Sequence, residues 1–417
     1  MTQNRWLLWV VFILSAAGAG LGVLAALMMA IVWLVSLTGG DATLYASLSL
    51  GLFTGAVLMM PAGVLAYRRL NGYPEWQLPL PVRPLFNLVA FLGWVLCLFL
   101  GALAGQTFLG GLFVFGAAVF PPLYAYGVAS GRAQPGGLRP WSAVLTTMIG
   151  VMPLSFLLEA VVIVTIVIAL GVRSANDAQF MALLQELARQ ADLVQTNPDL
   201  AESFVATVFE QPGVLAGVLI FLSVITPLIE ELIKPLAVWL LAGRVSPREG
   251  FLFGMIGGAF FAATENLNAL AVAASGSDWV GTAFGRAGTS LLHVATAGLV
   301  GFGIATAFRK RRPLALLGAY LTAVVLHGFW NLFGVAQGLA PLTNDLSFQR
   351  LGHFAPLAMG LLAGLILLVL FVTAYWARPD RQDLGLTTAA TVQAVALEQP
   401  VNFPPDQGEE PSDGLDK

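Results

Sequence analysis

Charged side chains are scarce in this sequence. Lys, Arg, Asp and Glu together make up 10% of the 417 residues, whereas 58% of the residues are hydrophobic. A soluble globular protein carries about 25% charged residues, so this chain cannot cover most of its surface with groups that water solvates. Much of that surface must therefore face lipid. The few basic residues are dispersed along the chain, so we expect no nucleic-acid partner.

Cysteine is almost absent as well. Cys97 is the single cysteine, which excludes an intrachain disulfide. The first apolar run, from Trp6 to Leu37, is about twice as long as the 7–15-residue core of a signal peptide. We therefore expect this run to be a retained first membrane span.

Long apolar runs recur through the rest of the chain. A membrane span needs about 20 mostly apolar residues, and by that rule the sequence predicts an all-α, polytopic integral membrane protein with about ten transmembrane helices. The predicted spans are Trp6–Leu37, Leu44–Tyr67, Leu85–Leu103, Phe108–Ala129, Trp141–Leu170, Val214–Leu241, Phe251–Ala274, Ala283–Phe308, Leu314–Ala336 and Phe354–Ala377.

The basic residues indicate how these spans are oriented. Most of them, including the run from Arg309 to Arg312, fall in alternate loops, and the opposite side holds only Arg173, Arg189 and Arg350. Loops rich in Lys and Arg stay in the cytoplasm during insertion. The pattern therefore predicts cytoplasmic termini, an even number of spans and a multi-pass location in the cell membrane.

This interpretation divides the chain into five regions. The long loop after span five has helical spacing of its apolar residues, and the C-terminal tail is polar and typical of disorder. The predicted regions are a five-helix membrane region (1–171), an external amphipathic helical loop (172–213), a four-helix membrane core that carries the candidate catalytic residues given below (214–336), an outer loop with the last transmembrane helix (337–378), and a disordered cytoplasmic tail (379–417).

Polar residues interrupt the apolar pattern in spans six to nine. Placing Asp, Lys or Arg at the centre of a membrane costs about 2.5–3.5 kcal/mol, so such residues face an interior or a watery cavity and are functional candidates. Each lies near the middle of its span, so we expect the groups to meet at one level. The candidate catalytic residues are Glu230, Glu231, Glu265, His293, His327 and Asn331, with Lys234, Asn266 and Phe261 as supporting residues.

The spacing within span six suggests distinct roles for its two carboxylates. Glu230 and Lys234 are four residues apart and share a helix face, whereas Glu231 lies about 100° round the helix. A carboxylate that a lysine holds ionised is a poorer base. This argument favours Glu231 as the water-activating group and Glu230 as its charge-paired neighbour. Pro227 and Pro235 flank both carboxylates and predict kinks on either side.

Three further polar residues need separate interpretations. Glu159 is the only ionisable residue near the middle of a span in the first five spans, and it is left outside the predicted site. Arg286, nearer the outer end of span eight, is expected to be an interfacial residue or a counter-ion. Asn266 is expected to join helices by hydrogen bonds more than to take part in chemistry.

The four polar motifs, taken in order, resemble the PrsW family of intramembrane proteases and, more distantly, the CAAX prenyl proteases and bacteriocin-processing enzymes. They lie on four successive predicted helices, and the resemblance covers about 213–336. The matching pieces are Glu230-Glu231-Leu-Ile-Lys234, Phe261-x-x-x-Glu265-Asn266, His293 and His327-x-x-x-Asn331.

The resemblance implies hydrolysis of a peptide bond in a membrane-bound protein within the lipid bilayer. PrsW relatives cut membrane-bound anti-sigma factors at a first site, or related signalling proteins, which implies a bacterial plasma membrane. In the CAAX enzymes the double glutamate activates water and the last His-x-x-x-Asn steadies the oxyanion. The second motif of those enzymes ends in histidine, whereas this chain has Glu265, so the roles do not transfer directly.

The sequence leaves the cofactor and the class of function open. Histidine and carboxylate bind zinc, and Glu231, Glu265, His293 and His327 are enough ligands, but a metal-free glutamate mechanism needs only a base and fixed donors. An ion- or proton-coupled transporter is an alternative, because buried glutamates and histidines also form proton relays. A catalytically inactive scaffold that binds helices is another, and only an activity assay separates it from a protease.

Overall fold

The computed structural model describes residues 5–35, 42–74, 76, 84–104, 108–130, 137–197, 200–210, 213–272 and 277–378, and within these residues it contains helices and no strand. The predicted all-α fold is confirmed. The predicted disordered tail, 379–417, and the far ends of the first and seventh predicted spans lie outside the described residues. The helices are α1 (Arg5–Val35), α2 (Ala42–Leu70), α3 (Pro84–Ala104), α4 (Phe108–Ser130), α5 (Leu138–Thr146), α6 (Met152–Asn176), α7 (Ala178–Thr196), α8 (Ala201–Phe209), α9 (Val214–Ile220), α10 (Thr226–Ile233), α11 (Leu236–Leu240), α12 (Pro247–Val272), α13 (Ser277–Arg309), α14 (Pro313–Leu339) and α15 (Leu346–Trp376).

Among the described residues, nine helical segments are long and apolar enough to cross a membrane, and they correspond to nine of the ten predicted spans. The remaining one, α12, has 26 residues, and at about 1.5 Å per residue that is enough for a hydrocarbon core about 30 Å thick. All its residues from Phe251 to Ala259 are buried. This part of α12 therefore faces neighbouring helices and not lipid, and the three glycines within it lie inside the bundle.

Span six departs from a regular α-helix beside each of its two prolines, where kinks are predicted. A π-helical turn, Phe221–Ile225, separates α9 from α10, and Pro227 stands at the start of α10. At the other end, α10 stops at Ile233, and Pro235 precedes the short α11. Proline removes a backbone donor and clashes with the preceding turn. As a result, α10 is an eight-residue segment that ends just before Lys234.

The loop after span five contains the helices that its amphipathic pattern predicts, α7 and α8. Asp177 caps the N-terminus of α7, where its Oδ1 accepts hydrogen bonds from the backbone N–H groups of Gln179 and Phe180. Such a cap satisfies donors that have no partner within the helix. The described part of this loop is therefore mostly helix.

Two glycines of α12 bring that helix against the elements that carry the polar residues. A Cβ at Gly257 would collide with the carbonyl oxygen of Lys234, and a Cβ at Gly258 would collide with the carbonyl oxygen of His293. Small residues at such positions let helix backbones approach closely in membranes. Through these contacts α12 packs on the end of α10 and on the middle of α13.

Candidate active site

Lys234 is the centre of the polar cluster. Its side chain is fully buried, and Nζ lies 2.7 Å from Oε1 of Glu231 and 2.9 Å from Oε2 of Glu230. The same ammonium lies 2.7 Å from Nδ1 of His293 and 4.6 Å from the ring centre of Phe261. These partners compensate an ammonium that is removed from water, which is costly when a charge is buried alone.

The contacts of Lys234 contradict the argument that, of the two glutamates, only Glu230 lies on the same helix face as the lysine. Lys234 reaches Glu231 at i,i+3 as well as Glu230 at i,i+4, and the contact with Glu231 is the shorter of the two. Residues three and four apart are both neighbours on a helix surface, and the lysine side chain is long enough to reach both. The predicted separation of the two carboxylates by their contact with lysine is therefore wrong.

His293 joins Lys234 to Glu265. An ammonium can only donate hydrogen bonds, so Nδ1 of His293 accepts from Lys234, and Nε2 carries the proton that faces Oε2 of Glu265 at 2.7 Å. This tautomer is assigned from the hydrogen-bond network. Both ring nitrogens of this buried histidine are thus engaged.

His327 is held by one carboxylate of the glutamate pair. Nδ1 of His327 lies 2.8 Å from Oε1 of Glu231, and since an ionised carboxylate only accepts, Nδ1 carries the proton. Nε2 is then left with its lone pair, 3.8 Å from Oε2 of Glu230. A hydrogen bond to a carboxylate is a common way to fix the tautomer and orientation of a functional histidine.

Glu265 and Arg286 form a second ion pair, and Asn266 holds the arginine in place. Nη2 of Arg286 lies 2.9 Å from Oε2 of Glu265, and Nε donates to Oδ1 of Asn266 at 2.7 Å. The amide of Asn266 donates in turn to Oγ of Ser290 at 2.8 Å and to the carbonyl of Ala118 on α4 at 3.3 Å. Arg286 is therefore a counter-ion, and Asn266 joins α12 to α13 and α4.

The predicted residues gather around one cavity of about 860 Å³. Glu231, Lys234, His293 and Asn266 lie behind its wall, each no more than 1% exposed. Glu265 is more open, with 40% of its side chain exposed. The predicted residues that line the cavity are Glu230, Phe261, Glu265, His327 and Asn331.

Asn331 combines a packing contact with a place in the cavity. Its Nδ2 donates to the carbonyl of Leu222 at 2.8 Å, within the π-helical turn that precedes α10. An amide nitrogen carries two N–H groups. One of them therefore holds this turn in place, and the side chain also lines the cavity.

Sequence reasoning left several polar cavity-lining groups outside the site, among them Glu159, Thr226 and Arg286. Glu159 on α6 accepts a hydrogen bond from Oγ of Ser155 at 3.2 Å. The signal for Glu159 was present, because an isolated carboxylate at mid-membrane is costly. Thr226 gave a weaker signal. It precedes Glu230 by four residues, so the two share a helix face.

The cluster offers a candidate metal site that differs from the predicted one. Within the described residues, Glu230, His293 and His327 each provide a ligand atom within 4.8 Å of the other two. This group contains two of the four expected ligands, with Glu230 in place of Glu231 and Glu265. Two histidines and a glutamate are a zinc-binding set of ligands.

Two observations decide how well a metal fits this group. Oε2 of Glu230 is buried and faces both Nζ of Lys234 and Nε2 of His327, which suits a ligand atom for a cation. His293, by contrast, must exchange its hydrogen bond to Lys234 or to Glu265 before a ring nitrogen can bind a metal. The donor set therefore fits a metal only with a rearrangement at His293 and at Lys234, whose Nζ lies 2.9 Å from Oε2 of Glu230.

Comparison with known proteins bears on the same part of the chain. The model of the family described as PrsW family intramembrane metalloprotease matches residues 140–372. This match covers more than half of the chain and includes the helices that carry the charged cluster. No curated protein and no solved structure matches the chain.

Proposed function

The chain belongs to the PrsW family and is an intramembrane peptidase, and on that premise we propose that Glu230 and His327 carry out peptide hydrolysis at the wall of the cavity. The observation that carries the proposal is the gap between them. Oε2 of Glu230 and Nε2 of His327 lie 3.8 Å apart, too far for a direct hydrogen bond. Because Oε2 is buried, the carboxylate must turn toward the cavity before one water can contact both groups. Glu230 also lines the cavity, whereas Glu231 lies behind its wall.

The reaction needs one proton to move through Glu230. The carboxylate of Glu230 takes a proton from the water as the water oxygen bonds to the substrate carbonyl carbon. The carbon–nitrogen bond then breaks, and Glu230 returns the proton to the leaving amine. General base and acid catalysis of this kind contributes about 10²–10⁴-fold. The second N–H of Asn331, on the cavity wall, is the proposed donor to the developing oxyanion.

Other members of the cluster position these groups. Glu231 orients His327 through Nδ1 at 2.8 Å, which keeps the lone pair of Nε2 directed toward Glu230. Lys234 balances the charges of both carboxylates. Glu265 holds His293 at 2.7 Å, and His293 in turn contacts Lys234. The cluster is thus a connected network in which each charge has a partner.

A bound metal ion would make Glu230 a ligand in place of a free base. Glu230, His293 and His327 are the residues that would hold it. Zinc in such a set supplies Lewis-acid activation of a water and of the substrate carbonyl. The orienting roles of Glu231 and Lys234 are the same in either case.

We further propose that the substrate is a membrane-bound signalling protein, such as an anti-sigma factor cut at its first site, in a bacterial plasma membrane. The support is the resemblance of the four motifs to PrsW relatives that act on such proteins. The position of the cluster among membrane-spanning helices agrees with a cut within the bilayer or at its edge.

Cleavage of a membrane-embedded reporter helix by purified protein in liposomes tests the proposed function. The native chain and the exposed-site control Glu186→Gln should both cut the reporter, and product masses should place the cut in its membrane segment. Glu230→Gln should leave the reporter intact. Equal cleavage by Glu230→Gln, or none by the native chain, would overturn the proposal.

A further inference from the structure

The cavity extends well beyond the polar cluster. On α13 it is lined by residues near the start of the helix, including Gly281 and Gly285, and on α14 by residues near its end, including Gly334 and Gly338. The short basic segment 310–312 joins these two antiparallel helices, so the four glycines lie at the end of the pair away from that segment. We call these four residues the glycine groove.

The glycine groove differs from the glycines deeper in the bundle. A Cβ at Gly301 or Gly303 of α13 would collide with neighbouring backbone or side-chain atoms, as it would at Gly258 of α12. The space beside those glycines is filled by another helix of this chain. At all four positions of the groove, an added Cβ would meet no heavy atom of the described residues within 4 Å.

The spacing of the groove glycines is that of a helix-docking surface. Each pair, Gly281 with Gly285 and Gly334 with Gly338, has three residues between its members. In membranes this spacing creates a flat strip along which a second helix packs with close backbone contact. Open space alone is not diagnostic, because the exposed Gly318 also has no atom within 4 Å of an added Cβ, but Gly318 does not line the cavity.

A second feature of the same cavity is a buried hydroxyl group that has no hydrogen-bond partner. Thr226 is 7% exposed and lines the cavity, and its hydroxyl has no hydrogen bond within the described residues. A buried hydroxyl without a partner is unfavourable, because it has lost its hydrogen bonds to water. Thr226 stands one helical turn before Glu230, and rotation of its side chain would bring this hydroxyl within reach of a peptide backbone placed for hydrolysis.

The wall of the cavity ends abruptly on α6. Met152, Ser155 and Glu159 line the cavity, but every residue from Ala160 to Arg173 except Val162 is exposed within the chain. The part of α6 beyond Glu159 therefore packs little against the rest of the chain. This leaves the cavity a side that faces the bilayer, through which a membrane-embedded segment can reach it.

We propose that the glycine groove docks a transmembrane segment of the substrate, and that this segment carries small residues (Gly, Ala or Ser) four positions apart on the face toward the enzyme. The proposal rests on the proposed function, because it supplies the substrate of that site. Small residues on both surfaces let the two backbones approach, and close approach brings the substrate chain toward Thr226 and Glu230. A segment with leucines on that face is held away by its side chains.

Disulfide crosslinking measures docking without cleavage. The chain with Cys97→Ser and Glu230→Gln, the latter to stop hydrolysis, receives one new cysteine by Gly285→Cys, Gly334→Cys or, as a control on α14, Gly318→Cys. The probe is a synthetic leucine-rich membrane helix of about 22 residues with one Gly-x-x-x-Gly pair and an adjacent cysteine. A matched probe carries Leu-x-x-x-Leu instead.

The glycine probe should crosslink at Gly285→Cys and Gly334→Cys about tenfold more than the leucine probe. This ratio corresponds to about 1.4 kcal/mol of binding free energy. At the control position Gly318→Cys, the two probes should crosslink equally. Adding Gly281→Leu to the Gly285→Cys chain should abolish the preference. Equal crosslinking of the two probes, or crosslinking only at Gly318→Cys, would overturn docking. Crosslinking at the groove by a chain whose native form cuts no reporter would support docking and overturn only the protease assignment.

Discussion

Nδ1 of His327 lies 2.8 Å from Oε1 of Glu231, and this contact separates the roles of the two adjacent glutamates. Glu231 is fully buried and bound to both His327 and Lys234. Glu230 stands on the cavity wall, facing the other nitrogen of the same histidine. One glutamate therefore holds the histidine in place, and the other is the base in the proposed mechanism.

Removing the ammonium of Lys234 should destabilise the protein strongly. Lys234→Met leaves two buried carboxylates without a counter-ion, and breaking a buried ion pair in this way costs about 3–5 kcal/mol. Unfolding in detergent should show this loss against the exposed-site control Lys310→Met. Adding Glu231→Gln to Lys234→Met should recover part of the stability. Equal stability of Lys234→Met and Lys310→Met would contradict the role of Lys234 as the centre of the cluster.

Close packing at Gly258 should not tolerate a methyl group. Gly258→Ala places a Cβ against the carbonyl of His293, and overpacking of this kind costs about 1–3 kcal/mol. The matched control is Gly318→Ala, where the new methyl meets nothing within 4 Å and helix propensity favours alanine. Thermal unfolding should show a lower midpoint for Gly258→Ala only. A midpoint at or above that of Gly318→Ala would mean that α12 and α13 are further apart than described.

The three histidines of the chain allow an internally controlled test for metal. If zinc is held as proposed, purified protein contains it in equimolar amount, and His293→Ala and His327→Ala each lose it. His353→Ala, whose side chain lies on α15 outside the cluster, should keep it. Elemental analysis of the purified variants gives the answer without an activity assay. Zinc content that His327→Ala leaves unchanged would contradict the ligand set and favour hydrolysis by the glutamate alone.

The orientation of the bundle also remains a prediction. The distribution of basic residues places the loop around Asp192 outside the cell and Arg311 in the cytoplasm. A reporter fused at Asp192 should read as external, and one fused at Arg311 should read as cytoplasmic. This result would also place the glycine groove in the outer half of the bilayer, since it lies at the end of α13 and α14 opposite Arg311. The reverse pattern at either fusion would contradict the predicted topology.

Much of this architecture can be predicted from the sequence, because it depends on residues that are close together in the chain. Composition and run length predict the helices, and Pro227 and Pro235 predict where span six breaks. The family match supports the protease over the transporter alternative. Helical periodicity also pairs Glu230 with Lys234, as observed.

Contacts across helices could not be read from spacing in the same way. Periodicity could not show that Lys234 also reaches Glu231, or that His327 faces both glutamates, because these contacts depend on side-chain length and on how four helices pack. Spacing also could not predict that Glu230 belongs to the candidate metal-ligand group. Nor could it predict that Glu159, from a different part of the chain, lines the cavity. Glycines such as Gly285 look alike in sequence whether a neighbour fills the space beside them or not.

The most direct test of the account compares cleavage of one membrane reporter by Glu230→Gln and Glu231→Gln. Glu230→Gln should lose about 10²–10⁴-fold in rate, since it removes the base, whereas Glu231→Gln should lose about 10–100-fold, since it only loosens the orientation of His327. Glu186→Gln, in the exposed loop helix, should cut at the native rate. Near-native cleavage by Glu230→Gln beside an inactive Glu231→Gln would contradict the assignment of the base.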